Sequence, residues 1–209
     1  ESGFRQYERP AERYAIPDNT RKIRITNANG DVILRPGDTD ELVIESVVRY
    51  FNFFGEEQTG EPESSVSITQ GETMEIEVSG QRYRQWLWRI SAQVDVTVTI
   101  PKDRSFDYEV DMSNGDVIVR DLEVSRKLKV ELSNGDITVH HAGGELDLVT
   151  RNGAVDVIGA RSALRIKTNN GHVSARSPVV GGDWSVETDN GDITLEVPEQ
   201  GDYSIRGER

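Results

Sequence analysis

The sequence has no cysteine, which excludes disulfide bonds, cysteine-ligated metal sites and a thiol nucleophile. No apolar run approaches the length of a membrane-spanning helix. Positive charge is scarce: 24 Lys and Arg face 37 Asp and Glu, so the formal net charge is −13. A surface this acidic argues against nucleic acid or an anionic membrane as the main partner. The opening stretch, ESGFRQYERP, shows no signal peptide, and we expect any export signal or anchor to lie outside these residues.

What the sequence has instead is a repeat built on the dipeptide Asn-Gly. From Asn114 onward these dipeptides are separated by 20, 18, 18 and 20 residues. Asn-Gly suits a sharp corner, because Gly accepts positive φ and Asn tolerates left-handed backbone. The predicted structural corners are Asn29-Gly30, Asn114-Gly115, Asn134-Gly135, Asn152-Gly153, Asn170-Gly171 and Asn190-Gly191.

Apolar residues alternate on both sides of each Asn-Gly, as in Leu128, Val130 and Leu132 before Asn134. This period of two predicts short strands with one buried face, and helical spacing is absent. Two arrangements fit the pattern: a meander of antiparallel hairpins in a sandwich or barrel, or a solenoid whose equivalent strands stack parallel.

A column of outward residues favours the solenoid. Five residues before successive corners stand Glu109, Lys129, Asp147 and Arg165, whose charges alternate in sign. Stacked in register, each would face an opposite charge, with Lys129 between Glu109 and Asp147. We therefore predict an all-β fold, a right-handed single-stranded β-helix or β-solenoid with coils of 18 to 20 residues and a lateral aromatic lobe.

The whole chain, 1–209, is predicted to form one solenoid domain. Residues 1–20 are expected to be an irregular lead-in or cap. Residues 21–106 are expected to form irregular coils of the same stack with two long excursions, at about 49–64 and 80–91. Residues 107–206 carry the regular Asn-Gly repeats.

The strands punctuated by NGD and then Ile or Val resemble a prokaryotic β-strand-repeat family of unknown function that is labelled "putative adhesin". The stretches that carry the resemblance are Asn29–Val32, Asn114–Val117, Asn134–Ile137 and Asn190–Ile193, with VDVTVTIPKD at 94–103. The resemblance covers about residues 16–206. It implies a fold similar to right-handed single-stranded β-helices and a place at the cell envelope, and it supplies no catalytic residues.

Two sets of polar residues are candidate ion sites. The Asp after Asn-Gly could form a carboxylate column for Ca²⁺, but Ala154 and His172 interrupt it, so turn chemistry is the favoured interpretation for Asp31, Asp116, Asp136 and Asp192. Adjacent His140 and His141 point to opposite faces of a strand, and surface histidines are expected rather than a metal site. No metal and no cofactor is predicted.

Aromatic residues concentrate in the two excursions, RYFNFF and RYRQWLWR, together with Arg. Such residues suit sugar stacking or a protein interface, but the favoured interpretation is that the excursions extend adjacent strands and pack on each other as a side lobe, with one face left exposed for binding. The candidate binding residues are Arg49, Tyr50, Phe51, Phe53, Phe54, Tyr83, Arg84, Trp86 and Trp88.

These patterns predict a non-enzymatic, exported, adhesin-like module of the cell envelope or extracellular surface, for binding or assembly. Its partner would be a protein or glycan at the envelope, or another copy of itself, and not nucleic acid. The alternatives are a subunit of a surface filament or sheet joined through its end coils, a β-helix enzyme acting on polysaccharide, and an intracellular scaffold.

Overall fold

A computed structural model describes residues 3–52, 64–80, 83–85, 88–90, 92–201 and 204, and these residues contain strands and turns but no helix. The all-β prediction is therefore confirmed for this part of the chain. The strands are β1 Gly3–Ala15, β2 Lys22–Asn29, β3 Val32–Gly37, β4 Glu41–Asn52, β5 Ser64–Thr69, β6 Thr73–Gly80, β7 Tyr83–Gln85, β8 Trp88–Ile90, β9 Gln93–Pro101, β10 Phe106–Asn114, β11 Val117–Arg120, β12 Val124–Asn134, β13 Ile137–His140, β14 Glu145–Asn152, β15 Val155–Ile158, β16 Leu164–Asn170, β17 Val173–Arg176, β18 Trp184–Asn190 and β19 Ile193–Glu196.

Two large mixed sheets contain all of these strands except the small β7–β8 pair. The nine-stranded sheet has the order β1-β4-β9-β3-β11-β13-β15-β17-β19. The eight-stranded sheet has the order β18-β16-β14-β12-β10-β2-β6-β5. From β10 onward the chain visits the two sheets alternately, so each coil contributes one strand to each sheet and the core lies between them.

The alternation seen in the sequence places one face of each strand in this core. Leu128, Val130, Leu146 and Leu148 are 0% exposed, whereas the residues between them face outward. Burial of a side chain of this size contributes about 1.5–3 kcal/mol each. The stack is therefore held together chiefly by contiguous aliphatic columns.

Equivalent residues of successive coils pair in parallel register, which is incompatible with two-residue hairpins. Asn114 pairs with Asn134, Asn134 with Asn152, and Asn152 with Asn170. The predicted position of Lys129 is also confirmed, because it pairs with Glu109 on one side and Asp147 on the other. The hairpin alternative is thus excluded for the regular repeats.

The early coils stack out of chain order. β2 lies between β10 and β6, and β3 lies between β11 and β9, all in parallel pairs. The strands β6 and β9 therefore form the coil beyond β2 and β3, although they come later in the sequence. Residues before the regular repeats thus contribute two coils to the stack.

The beginning of the chain differs from expectation. Residues 3–15 are not irregular: β1 is a 13-residue strand that pairs antiparallel with β4, and β4 pairs antiparallel with β9. β5 closes the other sheet by pairing antiparallel with β6. The strands β1, β4 and β5 are thus antiparallel additions at one end of the stack rather than coil strands. Pro10 and the register shift between Arg9 and Glu12 interrupt the edge strand β1, a feature that discourages further strand addition.

Candidate functional site

The Asn-Gly dipeptides all lie between a strand of the eight-stranded sheet and a strand of the nine-stranded sheet. The side-chain amide of Asn134 donates to Oδ1 of Asn114 at 2.9 Å, and the same bond joins Asn152 to Asn134 at 2.9 Å and Asn170 to Asn152 at 2.8 Å. Asn190 continues the ladder onto Asn170 at 3.0 Å. These asparagines bond to one another along the stack, which gives them a structural role.

Close backbone stacking explains the glycine that follows each asparagine. At Gly135 φ is +146°, and a Cβ built there would lie 1.9 Å from the carbonyl oxygen of Gly115. The Gly135 amide meanwhile donates to the Asn152 carbonyl at 2.9 Å. A side chain at this corner would force adjacent coils apart.

The aspartates after the glycines cap the next coil. Oδ1 of Asp31 accepts the backbone N–H of Asp116 at 2.9 Å, and Oδ1 of Asp116 accepts that of Asp136 at 2.8 Å. Asp136 accepts from the N–H of Ala154 at 2.7 Å. These contacts favour turn chemistry for the column, and the residues that the structure describes include no group of three His, Asp or Glu placed to hold a metal ion.

The three histidines have different surroundings. Nε2 of His140 is 2.8 Å from Oδ2 of Asp156, on the outer face of the nine-stranded sheet. His141 lies in the following turn with φ of +58°. Nδ1 of His172 accepts the backbone N–H of Asp192 at 3.0 Å, so this imidazole takes the place of a capping aspartate.

A buried polar column escaped prediction from the sequence. The hydroxyls of Thr150, Thr168 and Thr188 donate to the carbonyls of Gly135, Gly153 and Gly171, at 2.9, 3.0 and 2.9 Å respectively. Thr150 and Thr168 are 0% exposed. The sequence feature that marks this column is a polar residue that recurs on the inward face, two positions before Asn-Gly. Asn27 occupies the same position, and its amide donates to the Val94 carbonyl at 2.8 Å.

The outer face of the eight-stranded sheet carries the alternating charges. Register pairing extends the column from Glu109 to Arg24 and then to Glu75. Arg165 contacts Asp147 at 2.7 Å, whereas the ammonium of Lys129 is 3.6 Å from Glu131. These are exposed or half-exposed pairs, each of which contributes up to about 1 kcal/mol.

Lys22 holds one of these carboxylates firmly ionised. Its Nζ lies 2.5 Å from Oε2 of Glu109. This hydrogen bond lowers the pKa of Glu109 below its ordinary value, and the charges of Lys22, Arg24 and Lys129 act in the same direction against partial burial. A lowered pKa suits a structural ion pair and does not suit a general acid.

Only part of the predicted aromatic lobe can be placed. The Tyr50 ring packs edge-on against Tyr7, with ring centroids 6.4 Å apart, and Arg49 binds Asp95 at 2.7 Å. Phe51 belongs to β4, Tyr83 and Arg84 to β7, and Trp88 to β8. The remaining candidates, Phe53, Phe54 and Trp86, lie outside the described residues.

The strands on either side of the second excursion have defined places in the stack. Asp95 caps the Asp31 N–H at 2.9 Å, so it occupies the position that the corner aspartate has in other coils. The strand β6 ends at Gly80 and β9 begins at Gln93. Residues 81–92, which include β7 and β8, therefore connect two strands that correspond to those joined by Asn-Gly in the regular coils.

The fold and these surfaces define an all-β protein of stacked parallel coils with edge strands added at one end. The chain belongs to the Toastrack DUF4097 family, which matches residues 20–145. This agrees with a solenoid-like fold. No curated protein matches the sequence.

The solved structures that match this chain include proteins named as putative adhesins or cell adhesion proteins. A "putative cell adhesion protein" from Clostridium sporogenes is 11% identical, with a TM-score of 0.50 over 93% of this chain and 100% of that chain. A "putative adhesin" from Bacteroides fragilis is 14% identical, with a TM-score of 0.39 over 91% and 97% of the two chains. One from Parabacteroides distasonis is 12% identical, with a TM-score of 0.37 over 93% and 97%. At 11% identity the first likeness concerns the fold alone, and the TM-scores of the other two are too low to support an inference. The described part of the chain has no helix with the length and apolar character needed to cross a membrane.

Proposed function

We propose that the protein is a non-enzymatic, exported module of the cell envelope or surface, adhesin-like, which acts in binding or assembly by presenting segments on a stiff stack of coils. The observation that carries the proposal is the replacement of one Asn-Gly corner by residues 81–92. Their flanks are fixed in the core, since Val78 is 4%, Ala92 1% and Val94 0% exposed. A segment tethered at both ends to a rigid sheet can present contact residues with little loss of conformational entropy on binding.

The composition of this segment supports a contact role. It contains Tyr83, Trp86 and Trp88 with Arg84 and Arg89, and β4 runs into a second aromatic stretch at 50–54. Trp, Tyr, Phe and Arg are enriched at interface centres, whereas the Lys, Glu, Asp and Ser of the repeat strands are depleted there. The partner in this proposal is a protein or glycan of the envelope, or another copy of the chain.

The test combines location with binding. Surface biotinylation of intact source cells should label the protein if it is exported. Association of the 209-residue protein with isolated envelopes should weaken by more than about 2 kcal/mol in the double variant Trp86→Ala, Phe53→Ala if these residues are hot spots. The outward substitution Thr138→Ala is the matched control and should leave association unchanged. Loss of the β-sheet circular dichroism signal in the double variant would show instead that the lobe is core.

Assembly through the end coil is the second candidate. Ile193 in the last coil is 42% exposed, whereas its counterpart Val173 one coil earlier is 1% exposed. Exposed apolar residues on an edge coil can be covered by another chain through strand addition. Sedimentation velocity at increasing concentration tests this candidate, and a monomer at all concentrations would refute it.

We also propose right-handed winding of a single-stranded β-helix. Parallel strands joined by a crossover connection take this hand in nearly all proteins. An experimental structure with left-handed coils would contradict it.

A further inference from the structure

The turns on the side of the stack opposite Asn-Gly lengthen from coil to coil. Three residues separate β11 from β12 (121–123), four separate β13 from β14 (141–144), five separate β15 from β16 (159–163), and seven separate β17 from β18 (177–183). The Asn-Gly corners keep a constant two residues between strands. The turns on this side therefore vary in length, whereas the Asn-Gly corners do not.

An open groove of about 860 Å³ lies beside the two longest of these turns, 159–163 and 177–183. Its apolar lining includes Pro178, Val179 and Pro198, and Val179 is 49% exposed. Its basic lining comprises His141, Arg161 and Arg176, opposed by one carboxylate, that of Glu196. Three basic side chains meeting beside an apolar wall are unusual on a chain with net charge −13.

The basic side chains come from successive coils. A Cβ at Gly159 would lie 2.7 Å from Nδ1 of His141, so the glycine leaves the room that this imidazole occupies. Arg176 is 57% exposed and lies 3.9 Å from Glu196, which is itself 63% exposed. An exposed pair of this kind is easily exchanged for another anion. Arg161 has no ion-pair partner among the described residues and is exposed.

Three backbone N–H groups that line the groove already donate hydrogen bonds within the protein. The His141 N–H donates to the Ile158 carbonyl at 2.8 Å, Gly159 to Arg176 at 2.7 Å, and Ser177 to Glu196 at 3.0 Å. An extended peptide normally gains its affinity from a row of free backbone groups, and these three N–H groups are not free. The groups available to a ligand are side chains: guanidinium forks, an imidazole and an apolar wall.

We propose that this groove binds an acidic sugar residue, a uronic acid or a similar carboxylated pyranose. The carboxylate would pair with Arg161 and Arg176, because the planar guanidinium matches carboxylate geometry with two parallel hydrogen bonds. The apolar face of the ring would rest on Pro178 and Val179. This site is separate from the aromatic lobe and does not depend on it.

The negative charge of the coil beside the groove favours a short ligand over a long one. Residues 181–202 contain seven acidic residues and no basic one. A long polyanion leaving the groove would meet this acidic coil, so a short oligosaccharide should bind better per residue than a polymer.

The test is calorimetric titration of the 209-residue protein with tetragalacturonic acid. Arg161→Gln should weaken binding about tenfold, because a charge-assisted pair is lost. Val179→Asp, which places a negative charge on the exposed wall, should abolish it. Arg151→Gln, at an exposed arginine beside an Asn-Gly corner, is the matched control and should bind normally. The double variant Trp86→Ala, Phe53→Ala should also bind normally, and this separates the groove from the proposed envelope contact.

Four results would overturn the proposal. They are no binding of the tetrasaccharide, equal binding of neutral maltotetraose, equal weakening by Arg151→Gln, and tighter binding of a tetraglutamate peptide. The last result would assign the groove to an acidic protein segment. Thermal unfolding of each variant verifies that the fold is intact.

Discussion

The buried threonine column allows a quantitative test of what holds the coils together. Thr168 is 0% exposed, and its hydroxyl donates to the Gly153 carbonyl at 3.0 Å. Thr168→Val keeps the branched shape but removes the donor. We expect a loss of about 1 kcal/mol, the usual net worth of such a bond, and a fall of about 2–4 °C in melting temperature for a chain of this length.

The repeat contains its own controls. Met112 and Leu132 occupy the same position in earlier coils and are 3% and 6% exposed, so an apolar side chain is tolerated there. Thr188→Val in the last coil should cost less than Thr168→Val, because Thr188 is only half-buried. Urea unfolding followed by circular dichroism measures both. A Thr168→Val protein as stable as the parent, or more stable, would refute the claim that the hydroxyl ladder stabilises the stack.

Two further predictions concern single side chains. Tyr108 is 2% exposed, its hydroxyl has no hydrogen-bond partner among the described residues, and burial raises its pKa, so Tyr108→Phe should stabilise the protein by about 1 kcal/mol in urea unfolding; destabilisation would indicate a partner for the hydroxyl. Because the pKa of Glu109 is lowered in the fold, its stabilising contribution is present above the ordinary value of 4.5 and is lost as the pH falls through the folded value. Glu109→Gln should therefore cost up to about 1 kcal/mol near neutral pH and nothing in strong acid, and a cost independent of pH would contradict this.

The regular half of the fold could be predicted because its information is local and repeated. Each Asn-Gly marks a corner, and the alternating charges of Glu109, Lys129 and Asp147 identify the register without any knowledge of distant pairing. The role of Thr150 and Thr168 could not be predicted, because threonine is common in strands and its presence on an inward face does not identify a hydrogen-bond partner. Only the structure shows the glycine carbonyl that it faces.

The early half could not be predicted because its pairings are non-local. Arg24 continues the charge column, with Glu109 beside it on one neighbouring strand and Glu75 on the other. Both residues come much later in the sequence. The coil formed by β6 and β9 has no Asn-Gly, so it carries none of the repeat signal. For the candidate sites, the groove is lined mainly by residues of several turns, and these residues share no motif.

The displaced position of β2 and β3 has a consequence for how the chain folds during synthesis. Each regular coil from β12 onward packs on the coil made just before it, so contacts form over 18 to 20 residues as the chain emerges. The coil of β2 and β3 is covered on one side only when β6 has been made, about 50 residues later. Its other side is covered only when β10 has been made, about 85 residues later. Short-range contacts form fastest, so the later coils are expected to provide the nucleus onto which the earlier ones close. Until then the first strands to be made expose unpaired edges, and this interval is when the nascent chain is most exposed to aggregation.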